Sequence, residues 1–306
     1  SILSLVSGKK FQSIKAFLVG MSQAKLLVDS LLQRVSSVGV PTHLQGSNIV
    51  AFSGGVDSSL AAALLHTTLP QNSWACIGIS AALPQDQLDL ARDVAAVIGI
   101  PLKEVETTEG KDENYIANQG ASCFHCKTHL YTALNTVASH AAQVAKGSKK
   151  QRVVLFNGTN ADDRKDPTRV GLKAAENFQV ASPLSEITKE EVRIAAKALG
   201  LPNWNHAASP CLRSRLAFGV PATRNNLQRV ELAEKEVRRH LSLEVHHNLR
   251  VRHAGLDQAI VEIDADLMEQ AALHFPRLED EILALGFESV KLKAFRSGSM
   301  SGYNLS

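Results

Sequence analysis

The run Ser53-Gly54-Gly55-Val56-Asp57-Ser58-Ser59 has the residue types of an anion site. Two glycines allow a tight backbone turn in which successive N–H groups surround an anion, and the hydroxyls of Ser53, Ser58 and Ser59 add donors. The run follows a short apolar stretch and opens one rich in alanine and leucine. It is therefore expected between a buried strand and a helix whose N-terminus adds partial positive charge. That is a phosphate cradle. Without a Gly-Lys-Ser/Thr ending it does not announce attack at a γ-phosphate. Asp57 cannot favour phosphate itself, so positioning Mg²⁺ is its expected role. A simple helix-capping turn is the plainer reading, and the strand and helix around the run argue against it.

A second polar cluster, Gly158-Thr159-Asn160-Ala161-Asp162-Asp163, begins where another apolar run ends. In a parallel sheet both clusters emerge at the carboxyl edge, where ligands bind. Capping of the following helix by Asn160 and Asp162 is the alternative.

Four cysteines occur, at positions 76, 123, 126 and 211. Cys123-Phe124-His125-Cys126-Lys127 precedes a helical pattern, so a helix terminus and Lys127 would stabilise a thiolate there. Cys-x-x-Cys suits a redox pair, half of a zinc site, or two ligands of an iron–sulfur cluster, and the lack of a second such pair weakens zinc. Cys211 lies in Ser209-Pro210-Cys211-Leu212-Arg213-Ser214-Arg215, a stretch with arginines and no acid, which lowers a thiol's pKa and marks a nucleophile. Cys76 sits in an apolar run and reads as an inert core residue.

The elements that must position these groups alternate from about residue 22 to about 200. Strands are expected at Asn48–Phe52, Trp74–Ser80, Leu102–Glu106 and Val153–Asn157, with helices at Ser58–His66, Asp86–Ile98 and Thr128–Val144. This is an α/β pattern, a parallel sheet with helices on both faces. After Pro210 come a charged helix over Asn226–Leu241, strands at Leu249–His253 and Ala259–Asp264, a helix from Pro276, and a strand at Ser289–Phe295. They read as a smaller α+β unit. The expected division is a basic extension over 1–21, a nucleotide domain over 22–207, and a second, C-terminal domain over 208–306.

The chain has 306 residues, 44% hydrophobic and 21% charged, enough for a sizeable core. A net charge of +3 from 33 basic and 30 acidic residues is too small to imply nucleic acid or a membrane surface as main partner. The cysteine count fits a reducing, cytoplasmic compartment. The first 28 residues lack acids and carry several lysines and serines, so an organellar leader is the alternative for that extension.

The strand, Ser-Gly-Gly-x-Asp-Ser and helix arrangement resembles the fingerprint of the PP-loop (N-type ATP pyrophosphatase) superfamily at every position. The resemblance implies ATP cleavage between the α and β phosphates, with adenylation of a substrate oxygen. It also implies ATP contacts from Ser53, Gly54, Gly55, Val56, Asp57, Ser58, Ser59, Ser80, Gly158, Thr159, Asn160 and Asp162.

Six motifs in order carry a closer likeness: Ser-Gly-Gly-Val-Asp-Ser, Gly-Thr-Asn-Ala-Asp-Asp, Gly-Leu-Lys-Ala-Ala-Glu, Cys-Leu-x-Ser-Arg, Leu-Arg-Val-Arg-His and Phe-Arg-Ser-Gly-Ser-Met. Over residues 22 to 300 the chain resembles the pyridinium-3,5-biscarboxylic acid mononucleotide sulfurtransferase (LarE) family. The resemblance implies adenylation of a substrate carboxylate, thioester formation at Cys211, and a thiocarboxylate product on the way to a nickel-pincer cofactor. It gives Glu234 a role near the thioester and implies a homo-oligomer. Arg250 and Arg252 alternate along a strand and share a face, which suits gripping the substrate phosphate alongside Arg215; a solvated face is the alternative. Unlike single-cysteine members, this chain adds Cys123 and Cys126. It thereby resembles relatives in which three cysteines hold a [4Fe–4S] cluster with one open iron. A tRNA thiolase or amidotransferase, and an inactive ATP-binding scaffold or metallochaperone, are the competing readings.

Overall fold

The structure, a computed structural model, describes residues 20, 22–144 and 152–296. Except for Gly20, the expected extension over 1–21 lies outside these residues, as does the end of the Phe295–Met300 motif. A helix over 22–38, α1, leads into β1 (Gly46–Ala51), α2 (Val56–Thr68), β2 (Ser73–Ile79), α3 (Gln85–Ile98), β3 (Leu102–Glu106), α4 (Glu113–Ile116), α5 (Ser122–Val144) and β4 (Arg152–Phe156). Three short helices follow: α6 (Ala161–Lys165), α7 (Gly171–Asn177) and α8 (Lys189–Ala198).

The four strands form a fully parallel sheet in the order β3-β2-β1-β4. The chain steps outward from β1 to β3, then returns to add β4 on the other side of β1. Strand order therefore reverses between β1 and β4, and the loops after these two strands share the crevice where ligands bind in such sheets.

Alternation along the strands sends side chains to two cores. Val50 and Phe52 join Ala75 and Ile77 beneath α1, α2, α3 and α8, whereas Ile49, Ala51 and Cys76 pack under α5 and α7 with Tyr131 and Leu134. Each fully buried leucine there contributes about 1.5–3 kcal/mol over exposure. Among the described residues no helix is long and apolar enough to cross a membrane.

Beyond residue 212, α9 (Arg224–Leu241) and α10 (Met268–Ala284) cover a sheet of β5 (Leu249–His253), β6 (Gln258–Ile263) and β7 (Ser289–Ala294). β5 and β6 are antiparallel and β6 and β7 parallel. The segment between the sheets is bonded to both. Leu212 N–H donates to the Ala82 carbonyl at 2.8 Å, Ala222 N–H donates to that of Ile116 at 2.8 Å, and Ala217 N–H donates to that of His253 at 2.9 Å.

Two expected helix starts move. α10 begins at Met268, with Pro276 inside it. A proline lacks only its own N–H, and burial of Ala271, Leu278 and Ile282 along one face holds the helix through it. α5 begins at Ser122 instead of Thr128, so Cys123 and Cys126 lie within its first turns.

Candidate active site

A cavity of about 900 Å³ opens where the two sheets meet. Its walls include Ser53–Asp57 from the β1–α2 loop, Asn160 and Asp162 after β4, Lys189 and Arg193 of α8, the stretch His206–Pro210, and Glu234, Arg238 and Arg250 from the second unit.

The phosphate loop is set by its own hydrogen bonds. Ser58 Oγ accepts from Ser53 N–H at 3.1 Å and donates to the Gly55 carbonyl at 3.0 Å. Gln87 Nε2 donates to the Ser53 carbonyl at 2.6 Å, and Asn203 Nδ2 donates to the Gly54 carbonyl at 2.7 Å and to Ser59 Oγ at 3.0 Å. Ser58 and Ser59 thus hold the loop from beneath and do not line the cavity. Gly55 caps α2 without a side-chain bond, which leaves the first-turn N–H groups aimed at the cavity. Gly54 has φ +70°, and a Cβ there would lie 2.8 Å from the Ala91 Cα. Only glycine fits.

Asn160 caps α6 and also reaches the phosphate loop. Its Oδ1 accepts from the N–H groups of Asp162 and Asp163 in a capping box, while its Nδ2 donates to Asp57 Oδ1 at 3.0 Å. Gly158 brings the loops together, since a Cβ on it would sit 2.6 Å from the backbone of Asp57 and Ser58. Thr159 N–H turns back to Asn157 Oδ1 at 3.0 Å, and Ser80 Oγ accepts from Ala82 N–H at 3.3 Å. Gly158, Thr159 and Ser80 do not line the cavity.

Lys189 forms an ion pair with Asp57 Oδ2. Sequence reading passed over it, although a signal was present. Thr188-Lys-Glu-Glu191 is a capping box, and a lysine in a helix's first turn opposes the dipole, so it needs another reason to be there.

The arginines divide. Arg215, 1% exposed, is paired through Nε and Nη2 to Glu234 at 3.0 and 3.2 Å, and its Nη1 holds the carbonyls of Pro210 and Cys211. Glu234 Oε1 also accepts from Val251 N–H at 3.0 Å. Arg252, 6% exposed, pairs with Glu262 at 2.9 Å and donates to the Ser214 carbonyl at 3.0 Å. Arg250, 5% exposed, lines the cavity and donates to the carbonyls of Leu249 and Ala208. Burial, then the charge of Arg215, brings its pKa down to about 10. Of the expected substrate arginines, Arg250 alone is on the cavity wall. Arg215 and Arg252 are tied to carboxylates behind it.

Cys123, Cys126 and Cys211 come together beside this wall. Cys211 follows the lining residue Pro210, and its field reaches both other thiols, as theirs do Lys127 and Arg213. Arg213 Nη2 donates to Cys123 Sγ at 2.5 Å. Gly171 of the Gly-Leu-Lys-Ala-Ala-Glu motif lets α7 approach the first turn of α5, a Cβ there falling 3.3 Å from the Cys123 carbonyl and from Lys127 Cγ. Burial outweighs the helix terminus and Lys127 that led to the expectation of stabilised thiolates. It pushes Cys126 up to about 12 and Cys123 upward, Arg213 opposing the latter. Lys127 and Arg213 are raised because the thiols and neighbouring tyrosines together overcome the effect of burial.

A family model described as asparagine synthase matches residues 45–164, which span both phosphate-edge loops. An uncharacterised protein of Synechocystis sp. is 39% identical over 193 residues, 62% of this chain and 68% of its own length. The tRNA-specific 2-thiouridylase of Desulforamulus reducens is 28% identical over 54% of each chain. The pyridinium-3,5-bisthiocarboxylic acid mononucleotide synthase of Lactiplantibacillus plantarum is 30% identical over 257 residues, 82% of this chain and 88% of that protein. The likeness runs through the parallel sheet into the second unit, and the chain belongs to the pyridinium-3,5-bisthiocarboxylic acid mononucleotide synthase (LarE) family of the PP-loop superfamily.

Proposed function

We propose that this protein is an ATP-dependent sulfurtransferase. It adenylates a carboxylate of pyridinium-3,5-biscarboxylic acid mononucleotide, releases pyrophosphate and converts the carboxylate to a thiocarboxylate for nickel-pincer cofactor synthesis. The observation that carries this reading is the single cavity bounded by the phosphate loop on one side and by the Cys211 loop and Arg250 on the other. A carboxylate held there attacks the α-phosphorus of ATP, and the first-turn N–H groups of α2 hold the departing pyrophosphate. Asp57 fits a hard cation by its carboxylate oxygens, which Asn160 Nδ2 and Lys189 hold in place. Mg²⁺, when bound, neutralises phosphate charge. The acyl adenylate then exchanges AMP for sulfur.

Cys123, Cys126 and Cys211 would hold a [4Fe–4S] cluster. The fit rests on the donor set: Arg213, which bonds Cys123, and Lys127, next in sequence to Cys126, can balance thiolate charge, and Cys126 and Cys211 pack against one core. When bound, such a cluster supplies an open iron that accepts the sulfide to be transferred. A second reading, Cys211 as both nucleophile and sulfur donor, is favoured by its place next to the cavity residue Pro210.

Incubation with ATP and the bis-carboxylate mononucleotide should yield AMP, pyrophosphate and a thiocarboxylate. ADP and orthophosphate as products would overturn the assignment. Intact mass spectrometry after turnover separates the sulfur routes, because self-donation strips the elements of hydrogen sulfide from Cys211 and cluster-borne delivery leaves the chain unchanged.

A further inference from the structure

Cavity-facing charge on the second unit does not balance. Among its arginines, Arg215 is matched by Glu234 and Arg252 by Glu262. Arg250 donates to two carbonyls and has no ion-pair partner among the described residues, since Glu262, opposite it in the strand register, pairs with Arg252, and Glu234 pairs with Arg215. Arg238, half-buried on the cavity side of α9, likewise has no ion-pair partner among the described residues. The acids of that helix face are committed elsewhere. Glu231 accepts from Gln85 N–H at 2.7 Å and lies 3.7 Å from Lys235, while Glu234 takes both Arg215 and Val251 N–H. The next residue round α9, Arg239, shows what an ordinary surface arginine does here: it bonds Glu236 and Glu281 on the outer side. Arg238 and Arg250 therefore form two positive charges against one cavity wall, each in the field of the other.

We propose that Arg238 is an anion-binding residue of this cavity, which with Arg250 takes a phosphomonoester dianion, the role expected of Arg252 from its place on the strand. Two unmatched guanidiniums complement the double charge and several acceptor oxygens of a phosphomonoester better than the single charge of a carboxylate. The phosphate loop is a separate pole of the cavity, so ATP and a phosphorylated substrate are held at opposite ends with the substrate carboxylate between them. This deepens the sulfurtransferase reading and rests on it for the identity of the ligand.

The test is calorimetric titration of the full chain with nicotinic acid mononucleotide, a pyridinium phosphomonoester, after the loop has been filled with α,β-methylene ATP so that ATP phosphates are not the anion measured. Arg238→Ala should weaken mononucleotide binding about tenfold or more, the usual effect of losing a charge-assisted contact. Arg238→Lys should recover part of it. The dephosphorylated nucleoside should bind wild type and Arg238→Ala alike, and inorganic phosphate should compete with the mononucleotide in wild type alone. Equal mononucleotide affinity in wild type and Arg238→Ala, no binding by wild type, or equal loss for the nucleoside would each overturn the proposal. A melting curve of Arg238→Ala matching wild type shows that the loss is not one of fold. Formation of ADP in the activity assay would remove the sulfurtransferase reading and leave this titration standing by itself.

Discussion

Lys189 and Asp57, 132 residues apart, are joined as an ion pair on the cavity wall beside the N-terminus of α2. The pair is half-exposed, with side-chain accessibilities of 35% and 27%, so its worth to folding is small. Its position gives it another use. Under the proposed function, Lys189 would neutralise Asp57 until phosphate and its cation bind, and would then be free to meet the phosphates.

Lys189→Met is expected to leave the melting temperature nearly unchanged and to lower kcat/KM for ATP by about tenfold or more, measured by pyrophosphate release. Asp57→Asn should abolish pyrophosphate release while the protein stays folded. A lysine variant that melts much earlier yet turns over normally would make the pair purely structural.

The three loop glycines separate in the same assay. Gly54→Ala and Gly158→Ala drive a Cβ into backbone, at 2.8 Å from Ala91 and 2.6 Å from Asp57, so each should lose both stability and nucleotide binding. At Gly55 the nearest atom to an added Cβ is Ser53 Oγ at 3.5 Å. Gly55→Ala should fold normally, and a larger Gly55→Val side chain should block ATP while leaving circular dichroism and melting close to wild type.

The two phosphate-edge loops were legible because their signals are local: glycines, short polar side chains, and a period change from strand to helix within a few residues. Lys189 and Asn203 were not, since each acts on a loop more than 100 residues away in sequence and only the packing of α8 against α2 brings them there. Arg250 and Arg252 show the limit of periodicity. Alternation placed both on one face, but the cross-strand carboxylate of Glu262 claims Arg252, and no count along β5 reveals a partner on β6. Pro276 was read as a helix start because proline favours that position; the apolar face that carries α10 through it is a tertiary effect.

Cys76 predicts a pH dependence of stability. Burial against the α5 side of the sheet raises its pKa from 9.0 to about 12. With the folded value above the unfolded one, its contribution is fully present below about pH 9 and is lost as pH rises toward 12. Between those limits the unfolded chain binds fewer protons, so unfolding free energy should fall by at most about 1.4 kcal/mol per pH unit from this thiol. Denaturant titrations under reductant at pH 8 to 11 should show the decline, and Cys76→Ala should make it shallower. An unchanged slope in that variant would mean that the thiol ionises freely in the folded protein.

The buried pair Arg215–Glu234 bears on both fold and chemistry. Arg215 Nε and Nη2 meet the two carboxylate oxygens, while Nη1 fixes the carbonyls of Pro210 and Cys211, so one side chain ties α9 to the loop that presents Cys211. Removing a single partner leaves a buried charge unmatched. Arg215→Met or Glu234→Gln should therefore destabilise by about 3–5 kcal/mol, whereas the double variant Arg215→Met with Glu234→Leu should recover much of that loss. Recovery of stability would not restore function, because the Met side chain donates nothing to the two carbonyls and the Cys211 loop is released. The expected result is a double variant that melts near wild type and still forms AMP and pyrophosphate, yet makes little thiocarboxylate. If thiocarboxylate yield instead tracks melting temperature through all three variants, the pair acts through stability alone and the positioning of Cys211 lies elsewhere.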